Sequence, residues 1–531
     1  MAAFRYSRLR MRGRALLLVA ILGALSALSL MQFAGIGPYG SDAGNYYQIA
    51  RNITLGRGMV TSVSLYHVGL DPLPQRSWMT YPAWPLLLGY TGRVIGLTAA
   101  ANILPKLFYI LDLLLFYLLA NVIATRWWGT PLLVPRWSLD LGHVAMALLG
   151  TTAAFFWATT HPYTEGLAFA LMFGSLLALD RGATSRRLGW FALASVLAGL
   201  SFLTRTQSVA LIAGETVAVV LFAIRFRELR LHAGAYVAGA LAAVGCWYRF
   251  VFNQPSRTVD VGGFQMWEES ATALGWLSER WTGMLASFSA TELGYYNLFR
   301  LATYLVPAAA ILYLLRLAQR RARILPKDAL ELAPYAVLLS AIAFIASLNL
   351  FHETFFISWL FGWRHGLPYV LAIVLAIAYL AHTEWRVLRI ATGAVVAVTI
   401  ATAAVALTRD VIRTPPTAPS PGELQMIEWL GKNHAGTPTL LTTHAQQLAV
   451  IYDAKFHWAL CTDPPAKTLQ LIQRLPIDYV VVYPNERGCP FIDRRVLGPH
   501  LRVAASFGSA EAPLMLLGTS GRRKPGVEPI R

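Results

Sequence analysis

The sequence predicts an all-α polytopic membrane protein of about eleven transmembrane helices, with external juxtamembrane helices and a small external C-terminal α/β domain. Three observations lead there. First, 56% of the 531 residues are hydrophobic, only 14% are charged, and the mean hydropathy is +0.50, which is too apolar for a soluble globular chain. Second, apolar runs near the length that crosses about 30 Å of hydrocarbon recur along the chain. Third, the Lys and Arg behind the net charge of +18 fall in short clusters between those runs. That distribution records membrane orientation and argues against a nucleic-acid partner.

Arg5, Arg8, Arg10, Arg12 and Arg14 precede the first run, from Ala15 to about Phe33. A basic start followed by an apolar run also describes a signal peptide. This run exceeds the usual roughly 7–15 residues of an h-region and no small-x-small cleavage site follows, so an uncleaved first span with a cytoplasmic N-terminus is expected. Further spans are expected at Ala101–Ala124, Leu139–Thr160, Gly166–Leu179, Leu188–Leu203, Thr206–Ile224, Ala233–Phe252, Phe299–Leu315, Leu332–Leu350, Gly366–Ala381 and Ile390–Leu407. With that count, Arg126, Arg136, Arg181, Arg186, Arg187, Arg225, Arg227, Arg230, Arg316, Arg320, Arg321, Arg323, Lys327, Arg386 and Arg389 all fall on the cytoplasmic side. The opposite loops are longer in total and carry fewer cations, and losing one span would invert everything after it.

The spans up to residue 408 form the transmembrane domain, with external loops at 35–100 and 253–298. The first loop opens with Gly40-Ser41-Asp42-Ala43-Gly44-Asn45-Tyr46-Tyr47-Gln48-Ile49-Ala50-Arg51-Asn52. Ser41 or Asp42 suits a helix N-cap. Ala43, Tyr46, Tyr47 and Ala50 make one apolar face, which predicts an amphipathic helix along the bilayer surface. Tyr81-Pro82-Ala83-Trp84-Pro85-Leu86 suggests a second interfacial helix, with Pro in its first turn. Trp267, Trp276, Trp281, Tyr295 and Tyr296 place the second external loop at the interface. A proline-rich linker at 409–421 leads to the tail, 422–531. There Glu423–Lys432, Ala445–Tyr452 and Lys467–Leu475 read as helices, and Thr439–Thr442 and Asp478–Tyr483 as strands, an α/β alternation. Cys246 lies in a span and reads as packing, whereas Cys461 and Cys489 both fall in the tail. An oxidising compartment would permit a disulfide between those two, and their spacing leaves the matter open.

Charges at span ends need a reason, because ionisable groups in a bilayer are costly. Glu165, Arg205, Arg364 and His365 are expected at the outer ends of their spans, with Lys106 slightly deeper and Asp42 in the adjoining loop. Asp112 and Glu215 lie further inside. Carboxylates and cations at one level suggest a site at the membrane–water boundary. The competing reading is that Asp42 only caps a helix and the others anchor or snorkel. Asn52-Ile53-Thr54 matches a glycosylation sequon, a match without meaning on an interfacial helix.

As a set, these motifs resemble the GT-C superfamily of polyprenyl-phosphate-dependent glycosyltransferases, in the branch of the protein O-mannosyltransferases and the aminoarabinose transferase. The resemblance rests on Ser41 to Asn52, Gly56-Arg57-Gly58, Tyr81 to Leu86, Thr164-Glu165-Gly166, Leu203-Thr204-Arg205-Thr206 and Arg364-His365-Gly366-Leu367-Pro368. It covers about the first 370 residues. In one place the chain departs from it. Many relatives carry an Asp-Glu pair in the first loop, whereas Ala43 follows Asp42 here, so Glu165 would be the second carboxylate.

The resemblance implies an inverting transfer of a sugar from a polyprenyl-phosphate donor in the cell (inner or plasma) membrane to a hydroxyl of a glycan, lipid or protein acceptor on the outer face. Asp42 would be the general base, with Glu165 orienting the acceptor or binding a cation. Arg205, Arg364, His365, Lys106 and Tyr81 would bind substrate, the cations meeting the leaving phosphate. Room remains for a divalent cation, though no ligand cluster in the sequence demands one. Rival readings are a transporter or lipid-sugar flippase, for which Asp112 and Glu215 would serve, an O-antigen-type polymerase, and an inactive scaffold of the same fold.

Overall fold

The computed structural model describes residues 2–32, 41–64, 73–76, 82–134, 138–252, 297–319, 325–355, 368, 370–413, 418–459, 461–511 and 513–519. In chain order α1 (Ala2–Leu30) and α2 (Ser41–Thr54) precede the short strands β1 (Val60–Thr61), β2 (Val63–Ser64) and β3 (Gln75–Arg76). Then come α3 (Ala83–Ile95), α4 (Leu97–Trp128), β4 (Leu132–Val134), β5 (Leu139–Asp140), α5 (Leu141–Thr151), α6 (Ala153–Thr160), α7 (Glu165–Ser185), α8 (Leu188–Thr204), α9 (Val209–Arg225) and α10 (Arg230–Phe252). Four more long helices follow: α11 (Asn297–Ala318), α12 (Leu332–Phe355), α13 (Val370–Ala381) and α14 (Arg386–Arg413). The tail holds α15 (Pro421–Asn433), β6 (Thr439–Thr442), α16 (Ala445–Ile451), β7 (Lys455–Trp458), α17 (Pro465–Arg474), β8 (Tyr479–Val482), β9 (Leu501–Phe507) and β10 (Leu514–Thr519).

The described residues fall into two compact units, the first holding residues 2–32, 103–252 and 297–413 and the second residues 41–102 and 418–519. Each of the eleven expected spans coincides with a helix of the first unit, or with the bent pair α5–α6. Five helices are long and apolar enough to cross a bilayer, and six if that pair counts as one span. The pair bends by 73°. Thr151 and Thr152 sit at the break and donate to the carbonyls of Ala147 (2.7 Å) and Leu148 (2.8 Å). Backbone acceptors near the break are thus satisfied from within, as an apolar surrounding requires. α7 is central, 67% buried over its most apolar stretch against 11% for α1, and packs on α8. Leu16 and Val19 of α1 and Val398 and Val405 of α14 stay exposed, as on lipid-facing helices.

Two polar nodes tie these helices together. Ser175 of α7 (2.7 Å) and Tyr236 of α10 (2.5 Å) both donate to Glu215 Oε2 on α9. Arg14 of α1 (2.6 Å) and Tyr117 of α4 (3.2 Å) donate to Asp140 Oδ2, the N-cap of α5. Such bonds, like the Arg126–Asp180 ion pair between α4 and α7, fix the register of helices whose packing is mostly apolar.

The second unit is built on a six-stranded sheet in the order β2-β7-β6-β8-β10-β9. β2, β7, β6 and β8 are parallel, while β10 runs antiparallel to β8 and β9. Alternation along the strands gives two apolar layers. Leu440, Phe456 and Val481 pack with Met426, Leu430 and Leu448 of α15 and α16. Leu441, Val480 and Val482 pack on the other face, with Leu471 of α17 beside them. Cys461 and Cys489 form a disulfide, which settles the pairing left open by their spacing. Ser420 and Glu423 form a capping box at the start of α15, each serving the other's backbone N–H.

Several expectations change. α14 runs on to Arg413, so residues 409–413, expected as linker, are helical. The edge strand β2 comes from the first loop and pairs with β7 of the tail, Val63 opposite Phe456, so that loop is built into the tail's sheet. α2 does not present its apolar face to a bilayer surface: Ala43, Tyr47 and Ala50 are buried inside the second unit, against α3 and α16. Cys246 is exposed rather than packed. The interfacial loop expected at 253–298 lies outside the described residues except for its last two, which open α11.

Candidate functional site

In the first unit, Glu165 and Arg205 come together. Thr164 precedes α7, so Glu165 occupies its first turn, where the helix dipole favours a carboxylate. Arg205 follows α8 in an extended conformation, with φ at −158°. Its Nη1 donates to Glu165 Oε1 at 2.5 Å, the two side chains 13% and 1% exposed. Nε donates to Gln207 Oε1 at 2.7 Å. Among the described residues Nη2 has no partner. The pair lines a small cleft with Ala168, Phe169, Gln207, Ser208, Phe344 and Pro368. A part-buried guanidinium, aimed by a carboxylate and with one terminal N–H group left over among the described residues, is suited to a phosphate oxygen.

Lys106 is buried in α4, 5% exposed. It lies near enough to His161, just ahead of α7, for its charge to be felt there. Burial first, and then Lys106, push the His161 imidazole down to about 4. His161 is therefore a neutral ring at physiological pH.

Asp42 lies within the first turn of α2 rather than ahead of it, and is half-buried. The rest of the motif around it is structural. Gln48 Nε2 donates to Thr61 Oγ1 at 2.7 Å, and Asn52 Nδ2 to the carbonyl of Val60 at 2.9 Å and to Ser62 Oγ at 3.0 Å. The sequon asparagine is thus consumed in folding its own loop. Gly56 and Gly58 take φ of 77° and 81°, a turn that L-residues with side chains resist. Between them Arg57 makes a two-pronged ion pair with Asp453 at 2.9 and 2.8 Å.

Tyr81, Arg364 and His365 lie outside the described residues. The proline start expected at Tyr81 does lead into α3, with Pro82 at its N-cap. Among the described residues no three His, Cys, Asp or Glu side chains converge. Gln207 escaped notice in the sequence. Its only signal is the polar triplet Thr206-Gln207-Ser208 directly after Arg205.

No protein-family model matches the sequence, and no curated protein does. Solved structures do match. The oligosaccharyltransferase of Archaeoglobus fulgidus, in its apo form, is similar at a TM-score of 0.52 and 12% identity, over 88% of this chain and 69% of its own. ArnT from Cupriavidus metallidurans, bound to undecaprenyl phosphate, is similar at 0.52 and 15% identity, over 96% of this chain and 98% of its own. The arabinofuranosyltransferase AftD from Mycobacteria is similar at 0.55 and 14% identity, over 96% of this chain and 40% of its own. All three are GT-C glycosyltransferases. The chain has the GT-C fold. The GT-C likeness reaches beyond the roughly 370 residues that carry the sequence motifs and takes in the tail as well. At these identities it is a likeness of fold, and the chemistry has to be argued from this chain's own residues.

Proposed function

We propose that the chain is an inverting glycosyltransferase. It moves a sugar from a polyprenyl-phosphate donor to a hydroxyl of a glycan, lipid or protein acceptor, on the outer face of the cell membrane. The observation that carries this reading is Arg205. Its guanidinium is part-buried and oriented by Glu165 and Gln207, Nη2 has no partner among the described residues, and the side chain lines the cleft. A group held so meets a leaving phosphate without first reorganising, which is where such donors are most effective. Glu165 then acts by aiming Arg205. Asp42 takes the acceptor's proton as its oxygen attacks the anomeric carbon, and the C–O bond to phosphate breaks on the opposite face. Lys106, Arg364 and His365 supply further positive charge toward the phosphate, and Tyr81 a contact to substrate. Eleven spans, the bent pair α5–α6 counted as one, cross the membrane with the N-terminus cytoplasmic and the tail external, as the loop charges support.

The test uses purified chain in lipid nanodiscs and a panel of polyprenyl-phosphate sugars. Release of polyprenyl phosphate that depends on a hydroxyl acceptor, with inversion at the anomeric carbon by NMR, is expected. Retention of configuration would exclude direct attack. One observation favours transport instead: Asp112, fully buried in α4, has no hydrogen-bond partner on either carboxylate oxygen among the described residues, as in intramembrane ion and proton pathways. Movement of lipid-linked sugar across the bilayer without release of lipid phosphate would establish that reading.

A further inference from the structure

α2 is keyed to the tail along its whole length, and Asp42 stands at the keyed end. Two residues after Asp42, a Cβ on Gly44 would overlap the carbonyl oxygen of Gln446 in α16 and come within 3.2 Å of Val450 Cγ2. The two helices can approach so closely only because glycine stands there. Two turns on, Arg51 Nη1 donates to the carbonyl of Tyr452 at 3.0 Å and Nη2 to that of Val450. These carbonyls lie at the C-terminal end of α16, where no helical N–H remains to meet them. The Arg51 guanidinium also lies over the Tyr47 ring, 5.4 Å from its centre. Gly44 and Arg51, at opposite ends of α2, thus both seat against α16, Gly44 at Gln446 and Val450 and Arg51 at Val450 and Tyr452. Beyond α2, Arg57 clasps Asp453 and β2 pairs with β7.

We propose that Arg51 is a positioning residue for Asp42. Together with Gly44 it locks α2 onto α16, so the tail sets where the base stands and belongs to the transfer machinery. This rests on Asp42 being the base. A helix rises only about 1.5 Å per residue, so a contact at Gly44 fixes the backbone that carries Asp42. Placement errors near 1 Å are costly to oriented catalysis.

The test measures kcat per folded molecule and KM for a polyprenyl-phosphate sugar, with full-length chain in nanodiscs and Asp42→Asn in parallel. Arg51→Gln is expected to lower kcat about 10- to 100-fold, with KM for the donor within about twofold. Arg51→Lys recovers part of the loss, since one ammonium reaches one of the two carbonyls. A purely structural role would reduce the folded fraction and leave kcat per folded molecule unchanged. Should Arg51→Gln fail to fold, the exposed pair serves instead: Asp453→Arg lowers kcat several-fold and adding Arg57→Asp restores it. Unchanged kcat in Arg51→Gln, or no rescue by the double swap, overturns the inference. If Asp42→Asn is inactive while Arg51→Gln is not, only the positioning role fails. If Asp42→Asn retains full turnover, the base assignment fails and the positioning role with it.

Discussion

Arg205 shows how much of a site can be read from single residues. Its charge at a span end was legible, as was that of Glu165. Their pairing was not, because it depends on the turn at Arg186 and Arg187 that lays α8 against α7. Gln207 was hidden for the same reason. The ion pair divides the labour testably. Arg205→Gln removes the free Nη2 and is expected to weaken polyprenyl-phosphate binding about 10- to 100-fold, the value of one charge-assisted hydrogen bond, measured by titration in nanodiscs. Unaltered affinity would remove Arg205 from the phosphate site. Glu165→Gln leaves the guanidinium buried without its counter-charge, at a stability cost of about 3 kcal/mol, read as a lower Tm.

Among elements, the long apolar helices were the most legible, because continuous apolar runs mark them whatever they pack against. In the tail, β6 was read at Thr439–Thr442 as observed, a fully buried strand with an apolar centre. β7 was missed because Lys455-Phe456-His457-Trp458 carries a buried histidine and a half-buried lysine among its apolar residues. β2 is only two residues long and has meaning only beside β7. The docking of α2 was invisible for a related reason: its partner lies about 400 residues away, and local periodicity could suggest only a lipid surface. His457 gives this domain a pH dependence. Burial pushes its imidazole from 6.5 down to about 4. The unfolded chain takes up the proton first as pH falls, so the contribution is full above about 6.5 and lost progressively down to about 4. The loss is about 1.4 kcal/mol per pH unit. The tail's Tm should fall over that range, and His457→Gln should flatten the profile. Reduction of Cys461–Cys489, which closes 28 residues, should destabilise the same domain by about 2–4 kcal/mol. Equal melting curves with and without reductant would contradict this.

For the whole molecule, composition and charge distribution sufficed to read a polytopic membrane protein, and the alternation of helix and strand patterns an α/β tail. The grouping of the first loop with that tail did not follow from them, since hydropathy marks where a chain leaves the membrane and not which external segments fold together. That grouping bears on how the chain works: the helix carrying Asp42 is held by the tail's own α16, and the strand β2 that follows it pairs with β7. The central claim is that this carboxylate drives sugar transfer from a lipid phosphate. It is tested most directly by acceptor-dependent release of polyprenyl phosphate from purified wild-type and Asp42→Asn chains under saturating donor. The account predicts a loss of at least about 100-fold in turnover, the scale of a missing general base, with donor binding intact. Undiminished release by Asp42→Asn would contradict it.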